Sequence, residues 1–231
     1  LGSGYSQRNL RNMRQFYKVS QKWQTLSAKL SWSHYCEILW FDDNKFQYYV
    51  KTVELNNLSI RQLRDRIKSN EYERLPESTK NKIINQDESN IVDFVKNPIR
   101  IKNNNNRELF SEKVLQKLIL EDIENFLDEL GTGFTFIKSE YPIKLGTRYN
   151  YIDLLLYNIK YKCYVVVELK VTELKKEHTG QIMTYMNYID KHIKTIGEND
   201  TVGIIICKQD NEYVIKYCSD ERIIAREYEL V

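Results

Sequence analysis

The sequence predicts an α+β or α/β protein in which a helical N-terminal domain precedes a second domain with a mixed sheet flanked by helices. Three observations predict this. Apolar residues follow helical spacing over most of the first 75 residues, a polar and turn-prone run occupies residues 102–107, and helix-like and strand-like patterns then alternate. We therefore expect a helical domain at residues 1–90, a linker at 91–107 and a second domain at 108–231.

The composition narrows the class of protein. Of 231 residues, 42% are hydrophobic and 29% are charged, which is ordinary for a globular protein with a buried core. The longest apolar runs fall far short of the roughly 20 residues that span a bilayer, so we expect a cytoplasmic protein without membrane contact. The four cysteines form no Cys-x-x-Cys pair and there are three histidines, so zinc-site spacing is missing.

Residues 7–22 have the pattern of an amphipathic helix, and Ser6 is placed to cap it. One side of this helix is basic, with no acidic residue in the first 30 positions. That side is either a solvated outer face or a surface that contacts nucleic-acid phosphates. The candidate nucleic-acid-binding residues are Arg8, Arg11, Arg14, Lys18 and Lys22.

Further helices are expected at residues 23–40 and 60–74, with Ser59 as the cap of the latter. Residues 46–53 are aromatic and β-branched, and the pattern fits either a short strand or a continued helix. An alternative role for this domain is an interface with a protein partner or a second copy. The aromatic residues for such an interface are Trp23, Trp32, Tyr35 and Trp40.

The second domain begins with a strong helical pattern at residues 111–130, closed by Gly131 as a C-cap. Strands are expected at residues 134–139, 148–157 and 161–170, followed by a helix at 178–193. Two more strands are expected at residues 202–207 and 213–217.

Three charged residues stand out within the apolar strands. Asp153 lies in one strand, Glu168 ends the next one 15 residues later, and Lys170 follows after two positions. An unpaired carboxylate would be costly to bury there, so something must compensate it. Because side chains alternate along a strand, Glu168 and Lys170 project to the same face.

Whether Asp153 joins them depends on the register of the strand pair. Pairing of Asp153 with Val166 or Tyr164 puts it on the Glu168 side, whereas pairing with Val165 does not, because a slip of one residue reverses the face. A twist or bend must also close the remaining offset along the strands.

Two carboxylates at the rim of a sheet suit Mg²⁺, with Mn²⁺ as a substitute. Asp153 and Glu168 would hold the ion, and Lys170 could orient the attacking water or offset negative charge during phosphodiester hydrolysis. The plainer alternative is a solvated Asp153 and an edge ion pair between Glu168 and Lys170.

The chain resembles the PD-(D/E)XK nuclease superfamily, and within it the YhcG-type family. The resemblance rests on residues 4–10, 13–17, 24–35 and 72–75 in the first domain and on 126–131, 152–155, 167–170, Gly180-Gln181 and Tyr185 in the second. It implies a restriction-endonuclease-like fold and a metal-dependent nuclease core. We expect nucleic acid as the substrate and take DNA as the first candidate, since the sequence does not distinguish DNA from RNA.

The resemblance also implies roles for residues. Asp153, Glu168 and Lys170 match the catalytic set, and Gln181 matches a glutamine that similar proteins place on the following helix. Similar nucleases often add an acidic residue from the helix before the strands, but Gln116 occupies that position here, with Glu112 and Glu121 nearby. An amide does not hold Mg²⁺ as a carboxylate does, so a catalytically inactive nuclease-fold subunit for DNA binding or assembly stays as the alternative.

Overall fold

The computed structural model describes residues 5–22, 27–85, 90–104, 108, 111–218 and 220–231. The chain divides into two compact units, Leu1–Glu88 and Ser89–Val231. No helix in these described ranges is long and apolar enough to cross a membrane.

In the part that the structure describes, the first unit consists of helices joined by turns and short irregular segments. Ser6 begins the first helix, since its hydroxyl accepts a hydrogen bond from the Asn9 backbone N–H at 3.3 Å. Residues 46–53 belong to a helix, and Asp42 caps that helix by accepting from two backbone N–H groups. The helices are α1 (Gln7–Lys22), α2 (Trp32–Ile38), α3 (Asp43–Asn56), α4 (Ile60–Lys68) and α5 (Glu77–Asn85).

The two longer helices predicted at residues 23–40 and 60–74 are shorter in the structure. Ser31 starts α2 afresh, because its hydroxyl accepts from the His34 backbone N–H at 3.4 Å and its own N–H donates to His34 Nδ1 at 3.1 Å. Trp23 and the rest of residues 23–26 lie outside the described residues. The helix α4 stops at Lys68, and Asn70 just beyond it has a φ of 52°, which a continuing helix does not allow.

The second unit is a six-stranded mixed sheet with helices on both faces. Its elements are β1 (Ile99–Ile101), α6 (Glu112–Glu121), α7 (Ile123–Leu130), β2 (Phe134–Leu145), β3 (Arg148–Asn158), β4 (Cys163–Leu169), α8 (Lys176–His192), β5 (Val202–Cys207), α9 (Glu212–Cys218) and β6 (Ile223–Leu230). The strand order is β1-β6-β5-β4-β3-β2. The strands β2, β3 and β4 pair antiparallel, and β4, β5, β6 and β1 pair parallel. The predicted fold class, a helical N-terminal region followed by a mixed sheet with flanking helices, is confirmed.

Two apolar cores lie on the two faces of this sheet. The helices α6 and α7 cover one face, where Leu115, Leu118 and Phe126 pack against strand residues such as Val165. The helix α8 covers the other, where Ile182, Met186 and Ile189 are fully buried with Val166 and Ile205 of the strands. Burial on both faces explains why β4 and β5 are continuous apolar runs.

Four parts of the second unit differ from the sequence prediction. The segment 91–107, expected to be a linker, supplies strand β1 and buried side chains of the second unit, because three residues are too short to show a strand pattern. Residues 213–217 are helical in α9, and β6 was not predicted. The helix expected at 111–130 breaks at Asp122, which has a φ of −140° and caps α7.

Candidate active site

The register of β3 against β4 brings the two candidate carboxylates together. Leu154 pairs with Val167 at the end of this ladder, and the same register extended by one position would place Asp153 opposite Glu168. The backbone N–H of Leu169 donates a hydrogen bond to Asp153 Oδ2 at 2.8 Å. The Asp153 carboxylate therefore lies at the end of β4, next to Glu168 in the sequence of that strand.

A bend in the neighbouring strand accompanies this placement. Glu140, across from Asp153 on β2, has a φ of 47°, which is uncommon for a residue other than glycine. Ile152 and Leu154, on either side of Asp153, pack into different cores. The regular alternation of β3 is therefore interrupted at Asp153, and its side chain turns toward the end of β4.

Lys170 joins the carboxylates by direct contact. Its Nζ lies 2.8 Å from Glu168 Oε1 and 3.4 Å from Glu112 Oε1. Its backbone N–H donates to the carbonyl oxygen of Ile206 on β5 at 2.8 Å, which fixes the end of β4 against the next strand. Asp153, Glu168 and Lys170, predicted from the sequence as one site, are adjacent in the structure.

The electrostatics of the carboxylate pair are unusual. Glu168 is 2% exposed, and among the described residues its Oε2 has no hydrogen-bond partner. Burial raises the pKa of Glu168 to about 7, and the nearby Asp153 carboxylate contributes to that rise. Burial also raises the pKa of Asp153, against the opposing effects of the Leu169 N–H and Lys170. Negative charge is costly here unless a cation compensates it.

The lysine stays protonated in this environment. Burial alone would lower the pKa of Lys170, but Glu168, Glu112 and Asp153 together raise it. A protonated lysine beside the carboxylates can stabilise negative charge that develops on a substrate.

The helix α6 contributes two side chains to the site. Gln116 Nε2 donates to the backbone carbonyl oxygen of Asp153 at 2.9 Å, and Glu112 contacts Lys170 from the first turn of the helix. Glu121 lies at the other end of α6, about 13 Å further along the helix axis. Of the three upstream candidates, Glu112 and Gln116 reach the site. Their contacts depend on how a helix packs on a sheet, and no pattern in the sequence shows that.

Comparisons with known proteins place this chain in a family. A family model described as the YhcG PDDEXK nuclease domain matches residues 92–231, and a model described as the DUF1016 N-terminal domain matches residues 1–74. The chain belongs to the YhcG PDDEXK nuclease family. A curated relative, "Putative nuclease YhcG" of Escherichia coli (strain K12), is 25% identical over 269 residues, which cover 98% of this chain and 72% of that protein.

Two solved structures are also similar to part of this chain. One is a repair endonuclease from Pyrococcus abyssi, with 21% identity, a TM-score of 0.37, and coverage of 54% of this chain and 48% of the other. The second is an EndoMS–dsDNA complex, with 18% identity, a TM-score of 0.37, and coverage of 56% and 48%. The chain thus spans about half the length of each of these two proteins.

The nuclease-domain helix α8 carries Gln181, the fourth residue expected at the site. Its Nε2 donates to the hydroxyl of Tyr185 at 3.0 Å. Tyr185 is buried, and burial raises its pKa, with further contributions from the charges of Glu168 and Asp153. The contact that the structure shows for Gln181 is therefore with Tyr185, and its role at the carboxylates stays a prediction.

His178 lies in the first turn of α8. Its Nδ1 accepts a hydrogen bond from the Lys175 backbone N–H at 3.1 Å, so it is a capping residue. Burial lowers its pKa, and the charge of Lys170 contributes to that shift.

The five basic residues expected to bind nucleic acid lie in the first unit, on α1, and all are exposed. Lys22 also forms an ion pair with Asp43. The five residues are Arg8, Arg11, Arg14, Lys18 and Lys22.

Of the aromatic residues expected at a protein interface, Tyr35 is a core residue. It is 4% exposed and packs against Phe16 and Phe46. Trp40 is 61% exposed and is accessible to a partner. An aromatic ring can lie in a core or at an exposed interface, and which of the two occurs depends on how the helices pack. The sequence alone therefore does not show that Tyr35 is buried and Trp40 is exposed.

Proposed function

We propose that this member of the YhcG PDDEXK nuclease family hydrolyses phosphodiester bonds in DNA with the help of a divalent cation, Mg²⁺ or Mn²⁺, held by Asp153 and Glu168. The observation that carries the proposal is the buried Glu168 Oε2, which has no hydrogen-bond partner in the described structure, next to Leu169, whose N–H binds the Asp153 carboxylate.

The residues present fit such an ion. The part of the chain that the structure describes holds no group of three or more His, Cys, Asp or Glu side chains arranged for a metal, so the protein would supply two carboxylates. Mg²⁺ is commonly bound by one or two carboxylates, with water and substrate phosphate oxygens completing the shell. When bound, the cation would make the phosphodiester more electrophilic and bound water easier to deprotonate.

The chain's own residues act around that centre. Lys170 has three N–H donors, and its contacts with Glu168 and Glu112 leave one for the attacking water or for a phosphate oxygen. Gln116 fixes the backbone of Asp153, and the Leu169 N–H fixes its carboxylate. The positioned charges are therefore set before the substrate arrives.

The direct test is a cleavage assay on the full chain. Supercoiled, linear and branched DNA are incubated with Mg²⁺, Mn²⁺ or EDTA, using wild type, Asp153→Ala and Lys170→Ala. Matched controls are Glu124→Ala and Lys191→Ala, which change exposed residues of the same domain. Only wild type and the controls should cut, and only with the cation.

Two outcomes would reject the nuclease proposal. Equal cutting by wild type and the two site variants would point to a contaminating nuclease. Binding without cutting under every cation condition would favour the alternative, a nuclease-fold subunit for DNA binding or assembly, which the amide at Gln116 otherwise supports.

We also propose that the basic side of α1 contacts the DNA backbone. Support comes from the exposure of all five basic side chains on one helix. Replacing Arg8, Arg11 and Arg14 by alanine should weaken DNA binding and reduce its salt dependence. The slope of log K against log salt concentration should become shallower by about 0.9 for each phosphate that the protein no longer neutralises. An unchanged salt slope would instead favour a role of this domain in contacting a protein partner or a second copy.

A further inference from the structure

A two-stranded ribbon extends from the sheet beside the candidate active site. The pairing of β3 with β4 runs as far as Leu154, whereas β3 pairs with β2 along its whole length. Within the described residues, the part of β3 before Asp153 therefore pairs with β2 and not with β4. In this ribbon Tyr151 lies opposite Pro142, and Tyr149 lies opposite Lys144.

The two faces of the ribbon differ in burial. Ile143 and Ile152 are fully buried and pack in the core with α8. Tyr149 and Tyr151 alternate with Ile152 along β3, so they point to the opposite face. They are 62% and 56% exposed. Two large aromatic rings side by side in solvent, next to a candidate active site, form a surface suited to a ligand.

A basic side chain lies on the same face of the ribbon as these rings. Lys144 is the cross-strand partner of Tyr149, and its Nζ lies 5.9 Å from the centre of the Tyr149 ring. Arg148 is exposed at the start of β3, where alternation places it on the face of Ile152, and Glu140 is the acidic residue among positions 138–151. Exposed aromatic rings with a basic side chain beside them complement a strand of nucleic acid, in which flat bases alternate with phosphates.

We propose that Tyr149 and Tyr151 form a stacking surface for an unpaired DNA strand that leads to Asp153. Tyr151 and Tyr149 lie two and four residues before Asp153, about 7 and 13 Å away along an extended strand. Stacking on protein rings requires base faces that are free, which a fully paired duplex does not offer. That the DNA strand leads toward Asp153 rests on the proposed function. The inference specifies the substrate as DNA with a single-stranded segment next to the cut.

The surface is tested by binding, without catalysis. Fluorescence anisotropy in EDTA compares a duplex that carries a single-stranded tail with the blunt duplex, using the full chain. Tyr149→Ala/Tyr151→Ala is compared with Tyr149→Phe/Tyr151→Phe, which keeps the rings. The control is Tyr213→Ala/Tyr217→Ala, which removes two tyrosines that are 75% and 70% exposed on α9.

The double alanine variant should bind the tailed duplex at least about tenfold more weakly while its affinity for the blunt duplex changes less than about twofold. The phenylalanine variant and the α9 control should bind as wild type does. Unchanged affinity of the alanine variant for the tail would overturn the inference, as would equal loss on both DNAs. A wild type that dimerises through the ribbon, shown by an alanine variant that sediments as a smaller species, would overturn it too.

The result separates this inference from the nuclease proposal. If the tail preference depends on the rings but no DNA is cut with Mg²⁺, the stacking surface stands and the nuclease function fails. If the double alanine variant cuts DNA normally and binds the single-stranded tail as wild type does, the nuclease function stands and the stacking surface fails.

Discussion

Gln116 donates its side-chain amide to the backbone carbonyl oxygen of Asp153, so a neutral residue of α6 holds the strand that carries a candidate metal ligand. A carboxylate at this position could not donate that hydrogen bond and would add a further negative charge to those of Asp153, Glu168 and Glu112. The amide therefore has a structural explanation that is independent of metal binding.

The first prediction concerns Gln116→Glu. In EDTA the variant should unfold more easily than wild type by about 1–3 kcal/mol, because the Asp153 carbonyl loses its donor and like charges approach. Saturating Mg²⁺ should recover much of the loss. Urea denaturation followed by circular dichroism measures both quantities, and Gln116→Ala serves as the control that removes the amide without adding charge. A variant as stable as wild type in EDTA would contradict the explanation.

The second prediction concerns pH and Glu168. Its pKa is raised from 4.5 to about 7 in the folded chain, mainly by burial, so the folded state holds this proton more tightly than the unfolded state. Without a divalent cation, this group stabilises the fold below about pH 4.5, and that contribution is lost as the pH rises through about 7. Glu168→Gln should therefore gain stability relative to wild type as the pH rises from about 5 to about 8. Urea denaturation of both proteins at the two pH values tests this. A loss of stability of Glu168→Gln relative to wild type over this pH range would refute it.

The third prediction concerns metal binding without DNA. Mg²⁺ should raise the melting temperature of wild type, because a ligand that binds the folded state stabilises it. The shift should be larger at about pH 8 than at about pH 6, since protons compete with the cation for Glu168. Differential scanning fluorimetry should show the shift in Glu124→Ala and not in Asp153→Ala. An equal shift in all three proteins would indicate binding elsewhere.

The fourth prediction concerns Glu112 as a residue that positions Lys170. Its carboxylate is half exposed, so Glu112→Gln should lower kcat by roughly tenfold without abolishing cleavage, and should change KM little. Lys170→Ala should lower kcat by more than Glu112→Gln does. The matched control is Glu121→Gln at the far end of the same helix, which should cut at the wild-type rate. A larger loss from Glu121→Gln would mean that the upstream acid has been misassigned.

Elements with a regular pattern over many residues were predictable from the sequence. The helix α1 and the strand β5 have the bounds that the periodicity predicts, and α8 begins two residues earlier than expected. Short or irregular elements were not. The strand β1 has three residues, and α9 was mistaken for a strand because its tyrosines and β-branched residues favour strands.

In the candidate site, too, local relations were predictable from the sequence and long-range contacts were not. The same-face relation of Glu168 and Lys170 followed from alternation along one strand, because it is a local property. The contacts of Lys170 with Glu112 and of Asp153 with Gln116 join residues 58 and 37 positions apart, and they depend on the packing of α6 against the sheet. The place of Asp153 depended on the register, which the sequence left open between two faces.

The hydrogen bond from the Leu169 N–H to Asp153 Oδ2 affects how mutants of this site should be interpreted. An aspartate side chain here takes the place that a backbone carbonyl would fill in an ordinary antiparallel pair. Alanine at position 153 would leave that N–H without its acceptor, so lost activity could reflect a frayed strand end as well as a lost ligand. Asp153→Asn keeps an oxygen that can accept from Leu169 while removing the charge, and it therefore separates the chemical contribution of Asp153 from its architectural one.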